Sequence, residues 1–235
     1  MRMFEEFAAV GDRLSAESSL RAVVLSGAGD NFCAGIDVNI FSDPVDAIDP
    51  ASMAPQGGSL ANRFQRAAFV WREIPVPVIC AIHGVAFGAG AQIALGADLR
   101  YAAPDARLSI MEIRWGLIPD LAISVTASGL VREDRLRELA YTGRVVGAAE
   151  AREFGLVTAV HDDPLQAARD TARRIAGHSP DAIRAMKKLF NTRHDLDAAQ
   201  SLELEAGLQS RVIGRPNQLE AVRANTQGRE PDFND

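Results

Sequence analysis

Two carboxylates, Glu112 and Asp120, stand eight residues apart in the segment Glu112-Ile113-Arg114-Trp115-Gly116-Leu117-Ile118-Pro119-Asp120. On a straight helix they would lie ~12 Å apart. Gly116 and Pro119 sit between them and fold the chain back, so both can face one cavity. An apolar cavity raises a carboxyl pKa toward neutrality and fits the group to take and return a proton. The competing readings are a solvated or Arg114-paired glutamate and, for Asp120, a helix N-cap after Pro119.

Two glycine-rich segments offer a complementary chemistry. Phe32-Cys33-Ala34-Gly35-Ile36-Asp37 contains a glycine where the backbone can turn its amides toward a ligand. His83-Gly84-Val85-Ala86-Phe87-Gly88-Ala89-Gly90-Ala91-Gln92 runs from a strand end through small residues into a helix start, where free N–H groups favour negative charge. One donor from each loop would make an oxyanion hole. Taken singly, each loop is also what an ordinary turn looks like.

These segments need a scaffold, and the apolar pattern supplies one. An amphipathic helix carrying Phe4, Phe7, Ala8 and Leu14 precedes a short buried strand at Arg21 to Ser26. Leu60, Phe64, Ala67 and Trp71 follow a helical period. Val78 to Ile82 reads as a second strand, Gly88 to Gly96 as a helix, and Leu99 to Ala102 as a third strand. Helical pattern then covers Ala122 to Tyr141 and Ala148 to Phe154, with a strand at Leu156 to Val160. Beyond it the pattern is helical: Pro164 to Ala176, Pro180 to Phe190, Leu196 to Ile213 and Gln218 to Arg223. Strands alternating with helices imply a parallel sheet with crossovers. The loop from Asp43 to Gly58 reads as a binding segment that shapes a pocket. In the helix from Leu196, one stripe of Leu204, Leu208 and Val212 and another of Leu196, Ala199, Leu202 and Ala206 make a face too wide for one neighbour.

Composition removes several function classes. With 25 Lys+Arg against 31 Asp+Glu the formal charge is −6, which offers no basic stripe to nucleic acid. Two cysteines, Cys33 and Cys80, make neither a disulfide framework nor a zinc site and read as small packing residues. The charged start Met1-Arg2-Met3-Phe4-Glu5-Glu6 is unlike a signal peptide, so the cytoplasm is the expected compartment. Ile74 to Ala97 carries no charge over 24 residues, but its prolines and glycines split it into a strand and a helix, so no membrane span is expected. Serine-hydrolase elbows, Walker loops and zincin motifs are absent from the sequence. His83, Trp71, Trp115 and Lys187-Lys188 read as structural: a strand-end histidine, two core tryptophans and a solvated helix face.

Taken together, the three segments resemble the crotonase, or enoyl-CoA hydratase/isomerase, superfamily. The resemblance runs from Phe4 to Phe233 and is most specific at Arg21 to Asp37, Val78 to Asp98, Met111 to Asp120, and from Tyr141-Thr142-Gly143-Arg144 through Gly155-Leu156-Val157. It implies an α/β fold, a crotonase-like (ClpP/crotonase) spiral of ββα units over residues 1–177, and a helical C-terminal trimerisation region over 178–235. The implied substrate is an acyl-CoA thioester, with no resident cofactor or metal because coenzyme A is part of the substrate. A homotrimer or a dimer of trimers is implied, with no nucleic-acid or membrane partner.

By position, the resemblance makes the backbone N–H groups of Ile36 and Ala89 the oxyanion donors, with Ala34, Gly35, Asp37, Gly88 and Trp115 around the substrate. Glu112 matches the second glutamate of the family's hydratases, whereas Gln92 stands where the first would be. An amide orients water but cannot accept its proton. Asp120 matches the catalytic aspartate of dienoyl-CoA isomerases. Double-bond isomerisation by Glu112 and Asp120 is therefore the favoured expectation. Hydration, with Gln92 positioning water, is the alternative, and a catalytically idle acyl-CoA-binding or scaffold protein is the third. Relative to the family, the chain begins at its first helix rather than at a β-hairpin, and Asn225 and Gly228 replace the usual aromatic and lysine contacts to CoA. Altered CoA binding is the implied consequence.

Overall fold

The computed structural model describes residues 2–37, 53–55 and 58–235. Its organising feature is a chain that repeatedly steps from one sheet into another. The first sheet is parallel throughout and has the order β1 (Val23–Ser26), β2 (Val78–Ile82), β4 (Leu99–Ala102) and β7 (Ala159–Val160). The second has the order β3 (Val85–Phe87), β5 (Arg107–Ser109) and β6 (Val146–Gly147), with β3 parallel to β5 and β5 antiparallel to β6.

The step from β2 to β3 takes two residues, His83 and Gly84. Gly84 has φ +58°, and a side chain there would crowd the Asp30 carbonyl and Asn31, so glycine is required on both counts. After β1 the chain makes the same move: Phe32 N–H donates to His83 O (2.9 Å), Cys33 N–H to Val85 O (3.0 Å), and Phe87 N–H to Cys33 O (3.0 Å). These steps, followed by α3 (Ala89–Leu95), are ββα turns, and the architecture is α/β, as the alternating pattern implies.

Helices close both faces. On one side α1 (Arg2–Ser15) packs on α2 (Arg66–Glu73) and the turn before it through edge-on ring pairs Phe7–Trp71 and Phe4–Phe64, and the main core extends from there to Leu156 and Val157. On the other, Ile79, Ala81 and Tyr101 meet Ala168 of α7 (Pro164–Ala176). Residues 74–97 resolve into β2, β3 and α3, and among the described residues no helix is long and apolar enough to cross a membrane.

Several elements differ from the sequence reading for identifiable reasons. The helix expected from Leu60 begins at Arg66, because Asn62 and Gln65 exchange side-chain and backbone bonds in a capping box ahead of it; Leu60 is exposed. The helix expected over Ala122 to Tyr141 is two, α4 (Ile123–Thr126) and α5 (Glu133–Thr142), separated by Gly129 at φ +72°. The strand expected at Leu156 to Val160 shrinks to Ala159–Val160, because Arg100 takes Leu156 O through its guanidinium and Thr158 Oγ1 through its backbone N–H. β3, β5 and β6 escaped notice, since two or three residues show no period. After α6 (Ala148–Glu153) and α7, the remaining helices are α8 (Pro180–Thr192), α9 (Ala198–Val212) and α10 (Pro216–Gln227). On α9 Leu208 is buried and Leu204 and Val212 of its stripe are half-buried, whereas Leu202 of the second stripe is exposed.

Candidate active site

The two glycine loops meet backbone to backbone. Gly35 has φ +99°, and a Cβ placed on it would lie 2.9 Å from Phe87 O and 4.0 Å from Ala89 N. A Cβ on Gly90 would collide with Cys33 O. Two absent side chains therefore allow the 32–37 loop to touch the start of α3. Gly88, at φ +52°, turns β3 into that helix and donates its N–H to Ser109 O (2.9 Å). Ala89 is the first residue of α3, where an amide has no intrahelical acceptor. Among the described residues, the N–H groups of Ile36 and Ala89 donate to no protein acceptor. Ile36, Ala34 and Asp37 are exposed, and Ala89 is buried.

Glu112 lies immediately beyond. It opens a 3-10 turn, Glu112–Trp115, that ends at Gly116 in the left-handed region (φ 69°). Gly116 N–H bonds Ile113 O, and Leu117 N–H returns to Glu112 O (3.1 Å), so the segment does fold back. A Cβ on Gly88 would be 3.3 Å from Glu112 Oε1, which puts the carboxylate against the residue before Ala89. Gln92, one turn into α3 and fully buried, donates from Nε2 to Glu112 Oε1 (2.6 Å). Its Oε1 accepts from Leu121 N–H (2.8 Å). The other oxygen of Glu112, Oε2, is buried and has no hydrogen-bond partner among the described residues.

Burial pushes the Glu112 carboxyl above its usual range, and the negative charge of Asp120 adds to the rise; a backbone N–H and the Gln92 amide hold it down in part. Asp120 is exposed; partial desolvation still raises its carboxyl, with its own backbone N–H opposing. The Asp120 charge is felt at Glu112, and the segment between them folds back at Gly116. Neither competing reading of the pair fits: Glu112 bonds Gln92 rather than Arg114, and the N-cap of α4 is Ala122, with φ +61°, rather than Asp120.

Trp115 is half exposed rather than core, because it sits on the outer face of the short 3-10 turn. Trp71 is core as expected. Lys187 is a correction: it is buried, not solvated, with Nζ donating to Trp71 O, Val76 O and Asp98 Oδ2 at 2.8 Å each, while Lys188 is exposed. His83 is structural, its Nε2 N–H donating to Gly29 O (2.9 Å). Cys80 is buried and burial pushes its thiol up; Cys33 bridges to β3. The loop expected to shape the pocket, Asp43 to Gly58, lies outside the described residues except for 53–55 and 58. Sequence reasoning missed the Leu121 amide, because no residue type marks a backbone donor reached from 29 positions away.

Comparison with known proteins places this geometry. A family model described as enoyl-CoA hydratase/isomerase matches residues 1–235. The 1,2-epoxyphenylacetyl-CoA isomerase of Escherichia coli K12 is 34% identical over 92% of this chain and 82% of its own. The human mitochondrial Delta(3,5)-Delta(2,4)-dienoyl-CoA isomerase is 31% identical over 93% of this chain and 69% of its own. A crystal structure of an enoyl-CoA hydratase from Bacillus anthracis superposes with a TM-score of 0.88 at 29% identity, covering 98% of this chain and 87% of that one. The chain belongs to the enoyl-CoA hydratase/isomerase family, within the crotonase superfamily of enzymes.

Proposed function

We propose that this enzyme shifts a double bond in an enoyl- or dienoyl-CoA thioester through an enolate. The observation that carries the reading is the buried, unpartnered Oε2 of Glu112, on a carboxylate that packs against Gly88 beside the free amide of Ala89. A thioester oxygen held by the N–H groups of Ile36 and Ala89 would gather the charge released when Glu112 removes a proton from carbon. The C–H electron pair moves into the new double bond, and the carbonyl pair moves onto oxygen. Reprotonation at a second carbon, from Asp120 or from Glu112 itself, returns the pair from oxygen and leaves the double bond displaced. The upward direction of both carboxyl pKa values favours such proton exchange. Ala34, Gly35, Asp37, Gly88 and Trp115 are the residues we assign around the acyl and CoA portions. The reaction as written needs no resident cofactor or metal, since coenzyme A enters with the substrate. Assembly as a trimer or a dimer of trimers through residues 178–235 belongs to the same proposal.

The test is to assay purified protein with 2-enoyl-, 3-enoyl- and 2,4-dienoyl-CoA thioesters beside the Glu112→Gln variant. Glu112→Gln should cut turnover by ~10²–10⁴ while thioester binding persists. A product carrying the elements of water would favour hydration. Absence of turnover together with retained thioester binding would favour an idle binding protein.

A further inference from the structure

Gln92 is fully buried, and both ends of its amide are engaged: Nε2 with Glu112 Oε1 and Oε1 with the N–H of Leu121. The second bond is to the peptide that joins Asp120 to Leu121, so one side chain on α3 reaches both carboxylate-bearing stretches. The same helix carries Ala89 at its first position, three residues earlier. We propose that Gln92 is a positioning residue that fixes Glu112 and the Asp120–Leu121 peptide relative to the Ala89 amide, leaving Glu112 Oε2 as the single oxygen that moves the proton. This rests on the isomerase reading and deepens it.

The arrangement separates two possible roles for the amide. A water-orienting amide must turn a polar atom toward the cavity, whereas here Nε2 gives an N–H to the carboxylate, Oε1 accepts from a backbone N–H, and the side chain is fully buried. The elements packed around Glu112 supply few other influences. From α3 comes Gln92, from the 3-10 turn a backbone N–H, and from the returning segment the charge of Asp120. Arg114 packs against Gly143, its Cγ 3.3 Å from where a Cβ on that glycine would be. The Gln92 N–H favours the ionised form of Glu112, so its loss moves the acid limb of the pH–rate profile upward.

The experiment compares Gln92→Met and Gln92→Glu with the unmodified enzyme, using kcat and KM across pH with whichever thioester is turned over. Gln92→Met removes both bonds. It should lower kcat by ~10–10²-fold, the scale of a small misplacement of a reacting group, with little change in KM and with the acid limb at higher pH. Gln92→Glu keeps an acceptor for Leu121 N–H but faces Glu112 with a second carboxylate, and two such groups share a proton. Its acid limb should move up further, and this variant decides the matter if Gln92→Met does not fold. An unshifted acid limb in the folded variants, or a change confined to KM, overturns the proposal. Glu112→Gln run in parallel separates the failures: if that variant keeps full turnover, the isomerase reading itself is wrong. If Glu112→Gln loses turnover while the Gln92 variants keep the original acid limb, only the positioning role is lost.

Discussion

Lys187 and Glu112 are both charged side chains taken largely out of water, and the protein treats them in opposite ways. Lys187 on α8 is 7% exposed. All three of its ammonium protons find acceptors, two carbonyls and the Asp98 carboxylate. Asp98 Oδ2 also accepts from Val78 N–H at 2.7 Å, so the cluster ties α8 to the start of β2 and closes on itself. Glu112 has one oxygen satisfied by Gln92 and one left buried without a partner. A buried polar atom left unpaired costs ~1–3 kcal/mol or more for a charged group, and folding alone gives no reason to keep it. Lys187 is satisfied as a structural charge must be, whereas the open oxygen of Glu112, on a carboxylate packed against Gly88, is what the proposed ligand role requires.

Breaking the structural cluster gives the largest expected effect on stability. Lys187→Met leaves the Asp98 carboxylate without its cation, and removal of one partner from a buried pair costs ~3–5 kcal/mol. Asp98 keeps partial solvent access, which favours the lower end. In a chain of this size Tm should fall by ~6–12 °C, read by calorimetry, with turnover per folded molecule unchanged. A matching loss of kcat in the folded protein would erase the contrast between the two sites.

The reactive side is sharpened by removing a donor instead of a carboxylate. Ala89→Pro deletes one amide at the first position of α3, where proline is tolerated. The expected loss is ~10²–10³ in kcat, with the fold retained by circular dichroism. Normal turnover would mean that the Ala89 amide does not hold the developing charge.

The smallest effect is on the stability of Glu112→Gln. A carboxyl whose folded pKa is raised costs nothing below its unfolded pKa, where both states are protonated. The cost grows as pH rises, because the unfolded state ionises first. The neutral amide should therefore raise Tm at pH 8, read by calorimetry. The gain should fade toward pH 4. A variant less stable than the parent at pH 8 would show that the Glu112 charge is a structural asset like Lys187.

Periodic segments were the legible part of the fold. The helix read over Pro164 to Ala176 and the strand over Val78 to Ile82 have those bounds in the structure, because an amphipathic face or a short apolar run bounded by prolines and polar residues is a local signal. β3, β5 and β6 were not read, since their pairing depends on partners distant in sequence. Within the site, Glu112, Asp120 and the two glycine loops were legible from residue type and spacing, whereas Gln92 and the Ile36 and Ala89 donors came from the family resemblance. The bond between Gln92 and Glu112, 20 residues apart, was not foreseen, and neither was the acceptor role of Gln92 toward Leu121.

Lys187 shows where local reading stops. Beside Lys188 on an amphipathic helix it looks solvated, and only the packing of α8 against residues 71–76 and Asp98 gives its ammonium three acceptors. The sequence by itself determined the order of elements, the glycines where a side chain could not fit, and the residue types able to move a proton or hold an oxyanion. Tertiary structure decided which oxygen of Glu112 is tied and which is left open. That choice depends on three segments meeting within hydrogen-bond distance, and no one segment encodes the positions of the other two.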